Sequence, residues 1–159
     1  MKKSNRREIR EKVLQVLYAY EFNGEGLTLL TNGILADVTA ENDINFAKQL
    51  IDRVVGNRKE LDERIKERVE NWEMERIALI DRILLRIGIS ELFYFPEIPP
   101  KVSINEVIDI AKDYSTANSS KFINGILDAI LSDLKKDGKL NKSGRGLIEE
   151  SLPKKSSNE

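Results

Sequence analysis

The sequence predicts an all-α protein of about seven helices packed around one or two small bundle cores. Three observations carry this. Apolar residues recur at three- and four-residue steps through most of the chain. No stretch alternates with period two between turn residues, so a sheet is not expected. The interruptions are short Gly, Asn and Pro clusters, and short connections make successive helices antiparallel neighbours.

The first helix is expected from Ser4 or Asn5 to Phe22. Ile9, Val13, Val16, Leu17 and Tyr20 fall within roughly a quarter of its circumference at about 100° per residue. Arg7, Leu14 and Tyr18 project on the far side. Asn23-Gly24-Glu25-Gly26 ends the helix, with two glycines free to take positive φ. A short helix over Leu27–Ala36 follows. Asn42 or Asp43 then caps a helix through Phe46, Leu50, Ile51, Val54 and Val55. Gly56-Asn57 breaks it, and Leu61, Ile65 and Val69 mark a fourth. Met74 to Phe95 is the densest apolar segment and reads as one helix, with Arg82 and Arg86 pointing away from its apolar side. Glu91 falls inside that apolar stripe, where a carboxylate needs partners; a tie to backbone N–H groups at a neighbouring helix terminus is the expected one. Pro96 and Pro99-Pro100 stop this helix. Ser103-Ile104-Asn105-Glu106 has the spacing of a capping box, with Val102 and Val107 at the staple positions. The polar loop Ser115–Ser120 feeds a last helix with Phe122, Ile126, Ala129, Ile130 and Leu134 on one stripe. From residue 137 to 159 periodicity is lost, and this part reads as a flexible basic tail. Solubility accounts for such a tail, with a weak nucleic-acid contact as the alternative. One helical domain over residues 1–136 is therefore expected.

Composition narrows the chemistry. At 159 residues, with 40% apolar and 33% charged, the chain is large enough to bury a core without staples. It has no Cys and no His, which removes disulfides, thiolate chemistry and the commonest general base and metal ligand. No apolar run approaches a membrane span, and no signal-peptide core follows the N-terminal charges. A cytoplasmic location fits these features. There is no Gly-rich phosphate loop after a strand and no nucleophile elbow. An enzyme is not expected, nor is a cofactor or a metal.

The net charge of −1 conceals a division. Residues 1–12 hold six Lys or Arg against two Glu, whereas residues 13–134 hold 13 basic and 21 acidic groups. Residues 135–159 are basic again. Lys2, Lys3, Arg6, Arg7, Arg10 and Lys12 can neutralise phosphates, and Tyr18 offers a ring on which a base can stack. The same residues also suit a plain solvated helix. A second group is Lys121-Phe122-Ile123-Asn124-Gly125, preceded by Thr116, Asn118, Ser119 and Ser120. Free N–H groups at a helix start together with a Lys favour phosphate oxygens. Gly125 inside a helix costs about 1 kcal/mol against Ala, which suggests a close approach there. The plainer reading makes Phe122 a core residue, Gly125 a helix crossing and Asn118 a cap.

Arg6-Arg7-Glu8-Ile9-Arg10-Glu11, Val16-Leu17-Tyr18, Leu85-Arg86-Ile87, Glu91-Leu92, Pro100-Lys101-Val102-Ser103-Ile104-Asn105-Glu106, Ala111-Lys112 and Ser120-Lys121-Phe122-Ile123-Asn124-Gly125-Ile126-Leu127-Asp128 occur in an order that resembles the NusB family of transcription antitermination factors. The resemblance runs over about residues 4 to 134, and its two C-terminal motifs are the most specific. It implies an all-helical fold of two side-by-side bundles. It implies binding to boxA, a single-stranded element of nascent ribosomal RNA, jointly with NusE, a small-subunit ribosomal protein, within an RNA-polymerase antitermination complex. By the same resemblance the RNA-binding residues are Lys2, Lys3, Arg6, Arg7 and Arg10 at the N-terminus, and Asn118, Ser119, Lys121, Phe122 and Asn124 at the last helix. Tyr18 and Asp81 match positions near the partner-facing and RNA-facing surface. Glu8 interrupts the basic run where some members carry a cation, and Asn118 is neutral where an acid can occur. Both RNA segments are expected to form one surface. Two alternatives stand beside this: a detached NusB-like module of an rRNA-modifying system, and a homo-oligomeric helical scaffold, a homodimer being its simplest form.

Overall fold

The computed structural model describes residues 5–69 and 74–148. Seven α-helices occur among them: α1 (Asn5–Asn23), α2 (Leu27–Ile34), α3 (Glu41–Gly56), α4 (Arg58–Arg68), α5 (Leu79–Tyr94), α6 (Pro100–Tyr114) and α7 (Ala117–Lys136). Short 3₁₀ turns cover Met74–Arg76 and Gly144–Leu147. Helix α5 is the axis of the molecule. It packs against α1 and α3 on one side and against α4, α6 and α7 on the other, and α2 leans on α1. The two bundles thus share α5. That is why Ile83, Leu84, Leu85, Ile87, Ile89 and Leu92 are almost wholly buried, with no polar face to their helix.

Chain direction follows from side-chain pairs. Arg10 meets Glu91, and Glu21 approaches Arg86, so α1 runs antiparallel to α5. Ser119 meets Asp81, and Leu127 lies against Gly88, so α7 runs parallel to it. A Cβ at Gly88 would stand 2.9 Å from a Leu127 methyl, which makes Gly88 the close crossing of these two helices.

Most boundaries match the sequence reading, and the differences have physical causes. Gly24 (φ 71°) and Gly26 (φ 76°) take the left-handed conformation that ends α1 and sets up α2. Helix α2 stops at Ile34, short of Ala36. Helix α3 begins at Glu41 after an extended Ala40, and neither Asn42 nor Asp43 caps it; the Asp43 carboxylate accepts from Arg6 instead. The Met74–Phe95 segment is divided. Ala78 is extended (ψ 143°), and α5 starts only at Leu79. Ile77 is buried from the turn as it would be from a helix, so the apolar spacing gives no sign of the break.

The capping box does not form. Pro100 opens α6 with its ring pre-set for the first turn, which puts Ser103 and Glu106 inside the helix. Val102 is correspondingly exposed instead of stapled. Ser103 donates to Glu91 (2.6 Å), and Arg10 donates twice to the same carboxylate (2.6 and 2.8 Å). Glu91 is therefore satisfied by a guanidinium and a hydroxyl, not by backbone N–H groups. Arg86, expected to face solvent, has a side chain only 3% exposed and pairs with Asp62 of α4 at 2.8 Å.

After α7, Gly138 (φ 69°) turns the chain, and the Lys139 amide donates back to the Leu134 carbonyl. Residues 139–148 then lie against the C-terminal end of α5. Lys142 donates to the Glu91 and Phe95 carbonyls (3.1 and 2.9 Å), and the Ser143 amide donates to the Pro96 carbonyl. Gly146 is buried so close to Pro96 that any Cβ would overlap its carbonyl oxygen. The remainder of the tail, from residue 149, lies outside the described residues.

Candidate nucleic-acid interface

The cations of α1 do not stand free. Arg6 pairs with Asp43 of α3 (3.1 Å) and lies over the Phe46 ring, 4.2 Å from its centroid. Arg7 grips Glu106 of α6 through two bonds of 2.6 and 3.0 Å and reaches Asp109 at 2.9 Å. Its Glu106 hydrogen bond outweighs partial burial and, with the Glu106 and Asp109 charges, holds its proton more tightly than an ordinary arginine does. Lys12 meets Asp37 at 3.1 Å, and the Lys12 bond keeps that exposed carboxyl below its usual range.

Arg10, expected to hold phosphate, is 2% exposed and bound to Glu91. Burial opposes its charge, but the attraction and hydrogen bonds of Glu91 prevail, so its proton is held more tightly than usual. Its guanidinium presents no face to a ligand, and its role in this structure is structural. The pair explains why a cation sits on the inner side of a basic helix: it answers the buried Glu91. Lys2 and Lys3 lie outside the described residues.

The second group is gathered at the start of α7. Thr116 caps the helix by accepting from the Ser119 amide, so Asn118 is not the cap. Asn118, Ser119 and Phe122 join Asp81, Ile77 and Arg76 around an open recess of about 370 Å³ between the N-terminal ends of α5 and α7. The Ser119 hydroxyl donates to Asp81 Oδ2 at 2.7 Å and accepts from Ser115. Ser119 thus orients the carboxylate and has little left for a ligand. Asp81 Oδ1 is buried with no hydrogen-bond partner among the described residues, an arrangement that costs free energy unless a donor arrives. Arg76 places a cation in the same recess; nothing in the spacing of the sequence singles it out. Lys121 and Asn124 are exposed on α7, and Lys121 pairs with no carboxylate among the described residues. Gly125 is also exposed, and a Cβ there would meet nothing within 4 Å, so no neighbouring helix requires it.

Tyr18 is 40% exposed and packs edge-to-face on Phe22, which is 68% exposed. Sequence reasoning had Tyr18 but not this partner. Leu14, placed on the far side with it, is buried.

The two predicted segments do not form one compact cluster. Because α1 and α7 run oppositely along α5, their N-termini point toward opposite ends of it. Helix α6 connects them: Arg7 holds its Glu106 and Asp109, and Gln15 reaches the hydroxyl of Tyr114 (3.5 Å), one residue before the loop that opens α7. The candidate surface is a track, not a pocket. Among the described residues no group of acids could hold a metal ion, and no helix is long and apolar enough to cross a membrane.

The family model described as NusB matches residues 7–132. The transcription antitermination protein NusB of Chloroherpeton thalassium is 47% identical over 156 residues, spanning 95% of this chain and 72% of that relative. The Salinibacter ruber protein of the same name is 46% identical over 149 residues, spanning 91% and 92%. Among solved structures, T. maritima NusB superposes with a TM-score of 0.77 at 35% identity, covering 83% of this chain and 94% of that one. A structure described as antitermination factors NusB and NusE in complex with double-stranded RNA superposes with a TM-score of 0.73 at 26% identity, covering 80% and 96%. With the all-helical order and these likenesses in agreement over nearly the whole described chain, the protein belongs to the NusB family of transcription antitermination proteins.

Proposed function

We propose that this protein binds the single-stranded boxA element of nascent ribosomal RNA together with the ribosomal protein NusE, in the cytoplasm, and enters the RNA-polymerase antitermination complex through that pair. The observation that carries the reading is the likeness to a structure of NusB and NusE in complex with double-stranded RNA, which supports RNA and NusE as partners; the single-stranded form is the part the experiment below tests. The role is assembly: the protein holds RNA and a partner and transforms neither.

The site residues divide the work. Lys121 offers an unpaired charge to phosphate, and Arg6 and Arg7 exchange a carboxylate for it. Phe122 and Asn118 present a ring and an amide at the recess, where Asp81 Oδ1 awaits an N–H donor from a base or from a protein side chain. The exposed Tyr18–Phe22 pair suits a protein partner, since aromatic rings supply contact area at small entropic cost. The acidic body suits a basic ribosomal protein.

Titration of a boxA oligoribonucleotide and a scrambled one, with and without NusE, tests this. Tighter binding to boxA, further tightened by NusE, is expected. Equal affinity for both RNAs in the presence of NusE overturns it. The exposed Tyr18–Phe22 pair also fits self-association. Light scattering at micromolar concentration distinguishes that case, in which a dimer persists and NusE does not compete with it.

A further inference from the structure

The C-terminal segment is built into the fold, and it carries the charges that α1 has neutralised. Three contacts fix residues 139–148 to the end of α5. The Lys142 ammonium caps two carbonyls of the last turn, the Ser143 amide takes the Pro96 carbonyl, and Gly146 fits where no side chain can. Leu140 packs against the core. The segment contains Lys139, Lys142 and Arg145 and no Asp or Glu from 138 to 148. Lys142 is occupied by the carbonyls. Lys139 and Arg145 are exposed, and neither side chain has a partner among the described residues. Glu97 is the acid on the adjoining loop.

This strap lies at the same end of α5 as Arg6. Arg6 stacks on Phe46, Phe46 packs edge-to-face on Phe95 with centroids 5.5 Å apart, and the Phe95 carbonyl accepts from Lys142. At this end the described cations of α1 are all held by carboxylates. Lys139 and Arg145 are therefore unpaired cations at the same end of α5 as a neutralised basic helix start. We propose that the strap is a third phosphate-binding segment, with Lys139 and Arg145 receiving the backbone of single-stranded RNA as it leaves Arg6 and Arg7. The inference rests on the RNA-binding reading above.

The test uses the full chain and a single-stranded boxA oligonucleotide with flanking nucleotides on both sides, titrated at several salt concentrations. Lys139→Ala with Arg145→Ala is expected to weaken binding and to lower the slope of log affinity against log salt by about 1.4, at about 0.7 per phosphate contact on a single strand. Lys59→Ala with Lys66→Ala, which removes equal charge from α4, is expected to change neither. Gly146→Ala, which keeps the cations but dislodges their support, is expected to match the strap variant, with faster tryptic cleavage at Arg145 reporting the release. If the strap variant binds as the wild type does while Lys121→Ala weakens binding, the strap proposal falls and the RNA reading stands. Equal losses from the strap and α4 variants reduce the effect to net charge and also overturn it. No binding by the wild type removes both readings.

Discussion

Glu91 has no exposed surface and survives there because Arg10 and Ser103 together satisfy its oxygens. Breaking such a pair from one side leaves a buried charge, which costs about 3–5 kcal/mol. Arg10→Ala or Glu91→Ala should therefore lower the denaturation midpoint sharply, whereas Arg10→Met combined with Glu91→Leu should recover most of the loss in the same urea titration. Lys142 behaves differently. Burial draws its pKa down from 10.5 to about 8, against the opposing charges of Glu91 and Glu97. Between those values the unfolded chain binds the extra proton, so this residue makes stability rise with pH across that window. Melting curves taken from neutral pH to about pH 10 should show the rise in the wild type and less of it in Lys142→Met. The misplaced carboxylate at 91 is legible in the sequence, because a helical stripe exposes the exception. Its partners are not, since Arg10 lies 81 positions away. The burial of Arg86 is hidden from the sequence for the same reason: a wheel shows where a side chain points, not whether α4 lies across it.

At the scale of elements, periodicity identifies each of the described α-helices and places most ends within a few residues. It fails where two local rules compete. Pro99-Pro100 and Ser103-Glu106 both specify a start for α6, and proline prevails because its φ is already helical. The two helical glycines of the C-terminal half, Gly88 and Gly125, separate packing from permissiveness. Gly88→Ala should destabilise, because its methyl would stand 2.9 Å from a Leu127 methyl, and that fully buried side chain must leave its packed position to admit it. Gly125→Ala should stabilise by about 0.5–1 kcal/mol, since open space surrounds it and alanine favours the helix. Differential scanning calorimetry of both variants checks the pair of signs. An RNA titration of Gly125→Ala adds a second answer: reduced affinity in a more stable protein marks a ligand approaching that turn.

For the whole molecule, charge was legible as composition and illegible as pairing. The first twelve residues read as a basic face, yet their described arginines are tied to acids 37, 81 and 99 positions away. The recess was half visible: Asn118, Ser119 and Phe122 announce themselves in one motif, and only the packing of α5 on α7 adds Arg76. The aromatic pair lies about three turns along α1 from Arg6 and Arg7, so its loss should separate the two binding activities. Tyr18→Ser with Phe22→Ser should leave the salt slope for RNA alone unchanged and diminish the gain that NusE confers; an unchanged gain removes the pair from the protein interface.

The carboxylates on Arg6 and Arg7 have one more consequence. A guanidinium already holding an anion gains from a phosphate only the difference between two similar attractions. Stray polyanions, abundant wherever RNA is made, thus find little reward at this end of the protein. On the proposed RNA reading, the chain competes with its own would-be ligands, and only a strand that also satisfies the recess would recoup the exchange. Restraint toward the wrong nucleic acid is thereby written into the same acids that hold the helices together.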